Sequence, residues 1–267
     1  MPDRQERTIF TIISDWGIGN HYAGSVKGAL LRHCPGAVIV DITHRINCYD
    51  IMQASFVLKN AWPGFPEGTI HLVGINTEGG MESPHIAVKH KGQFFIGADN
   101  GIFSLLFQND PVEAVEIDII QDSDYFTFST RDVFVKAAAM IASGKPIIKL
   151  GQPYRQFKEK LMFNPVVYPE KIVGKVIFID GYGNAFVNID RALFREKAKG
   201  MQFRISWRMP GEGVTEIHES YSDVMPGEQV VLFGATGLLE IAINQGKASS
   251  LLGLRVNDSV TVDFFKE

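Results

Sequence analysis

Asp15 is the first residue from which a chemistry can be argued. It stands in S-D-W-G-I-G-N-H-Y at 14–22, directly after the β-branched apolar run T-I-F-T-I-I-S at 8–14. A helix-like stretch follows at 23–32. The carboxyl end of a strand is where open α/β sheets build their sites. Negative charge there is wrong for cradling phosphate. It is right for accepting hydrogen bonds from a ribose diol or for binding a cation, and it equally suits capping the following helix. Three more polar loops interrupt apolar runs: V-D-I-T-H-R-I-N-C-Y-D-I at 40–51, G-A-D-N-G at 97–101 and I-D-G-Y-G-N at 179–184. The first loop, taken with these, points to a nucleoside.

Several polar residues in these loops have a structural reading beside the chemical one. Asp50 followed by Gln53 has the spacing of a helix cap. Asp41 and His44 suit hydrogen bonds that orient loops, and Gly181 and Gly183 suit a turn. Asp99, Asn100 and Gly101 fit a turn and a ligand contact equally. His21, His33, His71, His90 and His218 show no metal-ligand spacing and read as surface or packing residues, as do Trp62 and Trp207. Cys34 and Cys48 are too few and too oddly spaced for a metal knuckle and read as ordinary thiols.

The elements that must position these loops fall into two halves. Up to about residue 150, strand-like and helix-like runs alternate at 8–14, 23–32, 37–42, 51–61 and 69–75. Runs at 86–90 and 93–96 pair directly through Lys91-Gly92 as a tight turn. A strand at 114–120 and an Ala-rich helix at 131–143 complete the set. The alternation predicts an α/β fold whose N-terminal domain, 1–160, is a mainly parallel sheet with an antiparallel excursion. The pattern breaks at 158–170, between Pro165 and Pro169 at its far end. Short strands follow at 175–180, 186–189, 202–206, 229–233, 239–243 and 259–264, with helical runs only at 191–199 and 248–252. That predicts a smaller C-terminal β-barrel or sandwich domain, 172–267.

Composition narrows the function classes. The chain has 267 residues, 45% of them hydrophobic, enough for a full core in one large or two modest domains. Its net charge is −4 and no basic run is interleaved with aromatics, which argues against a nucleic-acid partner. The start is charged and no apolar run reaches about 18 residues, so the expectation is a soluble, cytoplasmic protein with no membrane partner.

In order and spacing, the four polar loops resemble those of the S-adenosyl-L-methionine hydroxide adenosyltransferases, the family related to the nucleophilic fluorinase and chlorinase. T-F-S-T-R-D at 127–132 and G-L-L-E-I-A-I-N at 237–244 extend the resemblance over nearly the whole chain. It implies a role for each matching residue. Asp15 would bind the ribose hydroxyls and Tyr49 would stack near ribose and adenine. Asp180 and Asn184 would hold the methionine amino and carboxylate groups or neighbouring polar atoms. Tyr182 and Phe186 would flank adenine, and Thr236 would contact the methionine end. The resemblance also implies a homotrimer whose sites each join the first domain of one subunit to the second domain of another. No metal or organic cofactor is implied, since S-adenosyl-L-methionine is the substrate.

The chemistry so implied is displacement at ribose C5′, from which methionine leaves as a neutral thioether. The protein must align a nucleophile, strip its water and, where the nucleophile is water, take its proton. Water-using members carry an Asp, an Arg and a His for that task. Here Asn76, Ser83 and Ser129 stand at those positions, and Asn20 replaces an acidic residue in the first loop. Asn and unactivated Ser are not bases near neutral pH. Glu78, Glu82 or His85 could supply a base from shifted positions. Alternatively, Ser129 and Thr130 could bind an anion, Thr130 standing where a halogenating relative places a halide-contacting serine. The leading expectation is a hydrolase giving adenosine and L-methionine, with Asn76, Ser129 and Thr130 lining the nucleophile's pocket. A halide-using adenosyltransferase and a non-catalytic nucleoside or S-adenosylmethionine binder are the alternatives.

Overall fold

A computed structural model describes residues 7–108, 110–121, 127–161, 163–207 and 213–266. The chain divides into two compact units, Met1–Leu161 and Met162–Glu267.

Unit 1 is built on one sheet. Strands β1 (Ile9–Ser14), β2 (Val38–Thr43), β3 (Ile70–Gly74), β4 (His85–His90), β5 (Gln93–Ala98), β6 (Glu113–Ile117) and β7 (Gly151–Pro153) lie in the order β2-β1-β3-β5-β4-β6-β7. The β2-β1-β3-β5 half is parallel, and β4, β6 and β7 add antiparallel. β1 and β3 are buried almost throughout, so they read as continuous apolar runs rather than alternating ones. The β4–β5 hairpin turns on Lys91 and Gly92, both at positive φ, the twist a two-residue hairpin needs. Helices α1 (Tyr22–His33), α2 (Ile51–Ala61), α3 (Ile102–Phe107) and α4 (Val135–Ala142) accompany the sheet. α1 and α4 contribute Val26, Leu30, Ala138 and Ile141 to a core with Phe10, Ile12, Leu72 and Ile96.

The structure refines the 131–143 helix: Thr130–Phe134 is a π-helical turn, and α4 follows it. Such turns widen a helix locally and recur at functional sites. α3 was not expected from sequence. Five of its six residues are buried, so it has no polar face to reveal a helical period.

Unit 2 is a single antiparallel sheet curled as a half-barrel round one core. Its path is β11 (Gln202–Ser206), β14 (Ser259–Phe265), β9 (Lys171–Ile179), β10 (Ala185–Asp190), β13 (Leu238–Ile243), β12 (Gln229–Phe233), with β8 (Val166–Val167) paired to β9. β9 carries the curl: Lys171–Lys175 pair with β14, while its far half pairs with β10. Ile172, Val176, Val187, Leu239, Ile241 and Val262 fill the interior, and α5 (Arg191–Lys197) adds Phe194. The short α6 (Ala248–Leu251) follows β13.

Candidate active site

In unit 1 the parallel strands end together, and their loops meet around Asp15 and Trp16. Asp15 is half-buried one residue past β1, where its Oδ2 accepts the Tyr49 backbone N–H at 2.9 Å. Tyr49 is 72% exposed and sits at φ +66°, a backbone state that bulky residues seldom adopt. The strained turn is held from both sides. Asp50 caps α2 through the Gln53 N–H at 2.9 Å, and Gln53 Oε1 accepts the Asn47 N–H at 2.7 Å. The spacing of Asp50 and Gln53 is therefore a cap, with the glutamine turned to the loop before it. Asp15 and Tyr49 are thus directly joined, and an exposed aromatic ring stands beside a strand-end carboxylate.

Trp16 ties the other loops to this point. Its ring stacks on His44 at 5.9 Å, meets Phe128 edge-on at 5.6 Å and packs near Tyr22 at 6.4 Å. It also lies flat against the end of β3, where a Cβ on Gly74 would come within 2.5 Å of Cζ2. His44 is buried, with Nδ1 2.6 Å from Ser14 Oγ. Its Nε2 lies 3.2 Å from Asp41 Oδ1, too oblique for a well-formed hydrogen bond. Asp41 also meets Lys27 Nζ at 2.5 Å. Burial pushes the Asp41 carboxyl up, but the Lys27 ammonium and His44 together outweigh it and hold it below its ordinary value. Asp41 and His44 accordingly lock the loop after β2, as loop-orienting residues should.

Phe128 leads into Ser129 and Thr130. Both are buried, and Thr130 Oγ1 has no hydrogen-bond partner among the described residues. Asn76, by contrast, is exposed at φ +44° just past β3. Asn100 Nδ2 fixes the backbone there, donating to Ile75 O at 2.9 Å and Asn76 O at 3.3 Å. Asp99 is fully buried, its Oδ2 accepting from Tyr154 Oη at 2.8 Å and Lys158 N at 2.7 Å. The G-A-D-N-G loop is therefore a brace. Asn76 is exposed on a braced turn, while Ser129 and Thr130 are buried.

His85 opens β4 between these segments. Its Nε2 lies 3.0 Å from the Thr77 carbonyl, and its ring meets Phe134 edge-on at 4.9 Å. A Cβ on Gly79 would reach within 2.5 Å of that ring, so the 76–83 loop folds closely over it. Burial pushes the imidazole below its ordinary value, against a smaller opposing pull from the Thr77 carbonyl. Donation from Nε2–H to Thr77 leaves the lone pair on Nδ1. Ser83 pairs with Gly80 through two backbone hydrogen bonds, closing the same loop.

In unit 2 the I-D-G-Y-G-N loop joins β9 to β10 beside a cavity of about 690 Å³. Asp180, Tyr182 and Asn184 line it, together with Tyr221, Asn244 and Lys247. Asp180 Oδ1 accepts the backbone N–H groups of Tyr182 and Asn184, both at 2.9 Å, so the carboxylate shapes the turn. Its Oδ2 meets Asn184 Nδ2 at 3.4 Å. Tyr182 is 79% exposed and Asn184 is buried. Phe186 is buried with its ring 5.9 Å from Phe178, and Thr236 Oγ1 accepts the Leu238 N–H at 3.3 Å. Neither of these two lines the cavity. Sequence reasoning missed Trp16 and Phe128 in unit 1 and Tyr221 and Glu240 in unit 2. Among the described residues no three His, Cys, Asp or Glu side chains gather as a metal site would require.

The comparisons with known proteins match both units. Residues 10–151 match the SAM hydroxide adenosyltransferase N-terminal domain and residues 174–261 its C-terminal domain. The chain belongs to the SAM hydroxide adenosyltransferase family. It is 31% identical over 255 residues to the (R)-S-adenosyl-L-methionine hydrolase of Thermus thermophilus, covering 91% of this chain and 94% of that protein. It is 26% identical to the Salinispora tropica protein of the same name, over 93% of this chain and 95% of that one. A fluorinase of Nocardia brasiliensis is 24% identical, over 96% of this chain and 97% of that one. Among solved structures, an uncharacterized conserved protein from Thermotoga maritima superposes with a TM-score of 0.86 at 31% identity, covering 96% of this chain and all of that one. Among the described residues of this family member, no helix is long and apolar enough to cross a membrane.

Proposed function

We propose that the protein is an S-adenosyl-L-methionine hydrolase that uses water at ribose C5′ to give adenosine and L-methionine. The observation that carries this reading is the family match over both units, with Asp15 at the strand end where a ribose diol would be held. In the homotrimer that the resemblance implies, the first domain of one subunit would offer Asp15 and Tyr49 to the nucleoside, while the second domain of another would offer Tyr182 to adenine and Asp180 and Asn184 to the methionine end. Phe186, which would flank adenine, and Thr236, which would contact the methionine end, do not line the unit 2 cavity.

The reaction forms an O–C5′ bond as the C5′–S bond breaks. The bonding pair passes to sulfur, so a sulfonium becomes a neutral thioether and the leaving group needs no acid. The reading accordingly requires no metal or organic cofactor. One proton must leave the attacking water. Neither Asn76 nor Ser129 can take it near neutral pH. His85 opens β4 just past the 76–83 loop; burial disfavours its charged form and donation to Thr77 leaves a lone pair on Nδ1, so we assign it this task. Asn76, Ser129 and Thr130 position the water.

One observation favours a halide as a second nucleophile. The Thr130 hydroxyl is fully buried, with no partner among the described residues, at the start of a helical turn, as an anion-binding donor would be.

A homotrimer and a cytoplasmic location complete the reading, the latter supported by two free cysteines, which suit a reducing compartment. Light scattering at micromolar concentration would count against the trimer if it returned a monomer's mass. The substrate assignment is tested by calorimetry with adenosine. A carboxylate accepting hydroxyl donors makes charge-assisted bonds of roughly 1.5–3 kcal/mol each. Asp15→Ala should therefore bind at least about tenfold more weakly with its fold intact. Equal affinity in the two proteins would remove Asp15 from the site.

A further inference from the structure

Glu240 is an anomaly in β13. Leu239, Ile241 and Ile243 point into the main core of unit 2, and the opposite face carries Glu240 and Ala242. That face is also apolar, with Val230 and Leu232 around Ala242, yet Glu240 is only 2% exposed there. An acid buried in such a layer costs free energy unless it is paired.

Its partners all belong to the cavity wall. Glu240 Oε1 accepts from Tyr221 Oη at 2.6 Å, and the nearby Asn184 amide favours its charged form. The same amide reaches Asp180 Oδ2 at 3.4 Å, so one buried side chain stands near two carboxylates. Tyr221 is aimed by a tight turn, Tyr221–Asp223, that Ser220 and Asp223 cap reciprocally. Space for the acid is kept by Gly234, where a Cβ would stand 2.7 Å from Glu240 Oε2. Burial pushes the Glu240 carboxyl up, and the nearby Asp180 charge adds to that against the opposing pull of the Tyr221 hydroxyl and the Asn184 amide.

We propose that Glu240 is a positioning and specificity-determining residue of the unit 2 cavity, orienting Asn184 and Tyr221 so that Asp180 presents its carboxylate to a ligand's ammonium group. The Asp180 and Glu240 carboxylates repel each other, and a cation arriving at Asp180 relieves both. A neutral or anionic group in the same place gains nothing from Glu240. The inference rests on reading this cavity as the site for the amino-acid end of the substrate.

The test is calorimetry in saturating adenosine, comparing L-methionine with 4-(methylsulfanyl)butanoate, which lacks the amino group. Glu240→Gln keeps an acceptor for Tyr221 and removes the charge. It should weaken L-methionine by about tenfold and leave the desamino compound unchanged. Tyr221→Phe, which frees Glu240 from its anchor, should lower the preference in the same direction by a smaller factor. If both variants keep the wild-type preference, or weaken both compounds equally, Glu240 is only a packing residue and the inference fails. If the wild-type protein itself shows no preference, the reading of the cavity fails and takes the inference with it.

Discussion

Acid should destabilise the fold through the buried imidazole of His71 in unit 1. His71 is the second residue of β3 and is fully buried, with its ring stacked on Phe95 at 4.6 Å. Nε2 lies 2.6 Å from Gln93 Oε1 and Nδ1 2.7 Å from Thr11 Oγ1. Gln93 in turn donates to the Phe65 carbonyl at 2.8 Å, which fixes its oxygen toward the ring. Nε2–H therefore donates and Nδ1 accepts, so the neutral imidazole is fully satisfied and a second proton would displace the Thr11 bond. Burial lowers the His71 pKa from 6.5 to about 4, against a smaller upward pull from Gln93. Between those two values the unfolded chain binds a proton that the folded chain refuses. Stability must then fall as the pH drops, by ~1.4 kcal/mol for each pH unit, or about 3 kcal/mol by pH 4. Below that both states are protonated and the loss stops growing. Above pH 6.5 the contribution is constant. Urea unfolding of the wild type and His71→Asn at intervals from pH 7.5 to 4 isolates this effect from the carboxylates. The variant should be weaker at neutral pH, since it leaves Gln93 Oε1 unpaired, at roughly 1–3 kcal/mol. The gap between the two proteins should close as the pH falls. Parallel curves would refute the argument.

Two further outcomes follow from the site's supports. Gly74→Ala forces a methyl group into the Trp16 ring, so it should cost about 1–3 kcal/mol and change tryptophan emission; an unchanged spectrum and midpoint would show that Trp16 is not seated on β3. Asp50→Ala removes the cap of α2 beside Tyr49 and should cost about 1 kcal/mol in urea unfolding, with no loss meaning that the Gln53 N–H finds another acceptor.

Much of this architecture is legible in the sequence because local pattern and burial agree. The run at 51–61 carries a cap signal and an amphipathic period, and α2 has those bounds. Strand β1 shows because it is β-branched and enclosed on both faces. Where burial is complete on all sides the period vanishes, which is why α3 does not announce itself. The π-helical turn at Thr130 is likewise silent, since one extra residue in a turn leaves no compositional trace. In the candidate site, Asp15 and Asp180 declare themselves as polar interruptions at strand ends. Glu240 had a signal, a lone acid in L-L-E-I-A-I, but its meaning depends on Tyr221 and Asn184 arriving from distant segments. Trp16 reads as one aromatic among many until Gly74, His44 and Phe128 close round it.

The proposed turnover of S-adenosyl-L-methionine by water carries a sharp expectation, since the resemblance puts Asn76, Ser83 and Ser129 where water-using members have an acid, a guanidinium and an imidazole. The most direct measurement incubates the protein with S-adenosyl-L-methionine, with and without chloride or fluoride, and separates adenosine and 5′-halo-5′-deoxyadenosine by chromatography. A positioned base contributes about 10²–10⁴-fold in rate. Adenosine and L-methionine should form in every buffer, more slowly by up to that factor than in relatives retaining all three residues, and more slowly again in His85→Ala. A halogenated nucleoside as the sole product, or no product under any condition, would contradict the account.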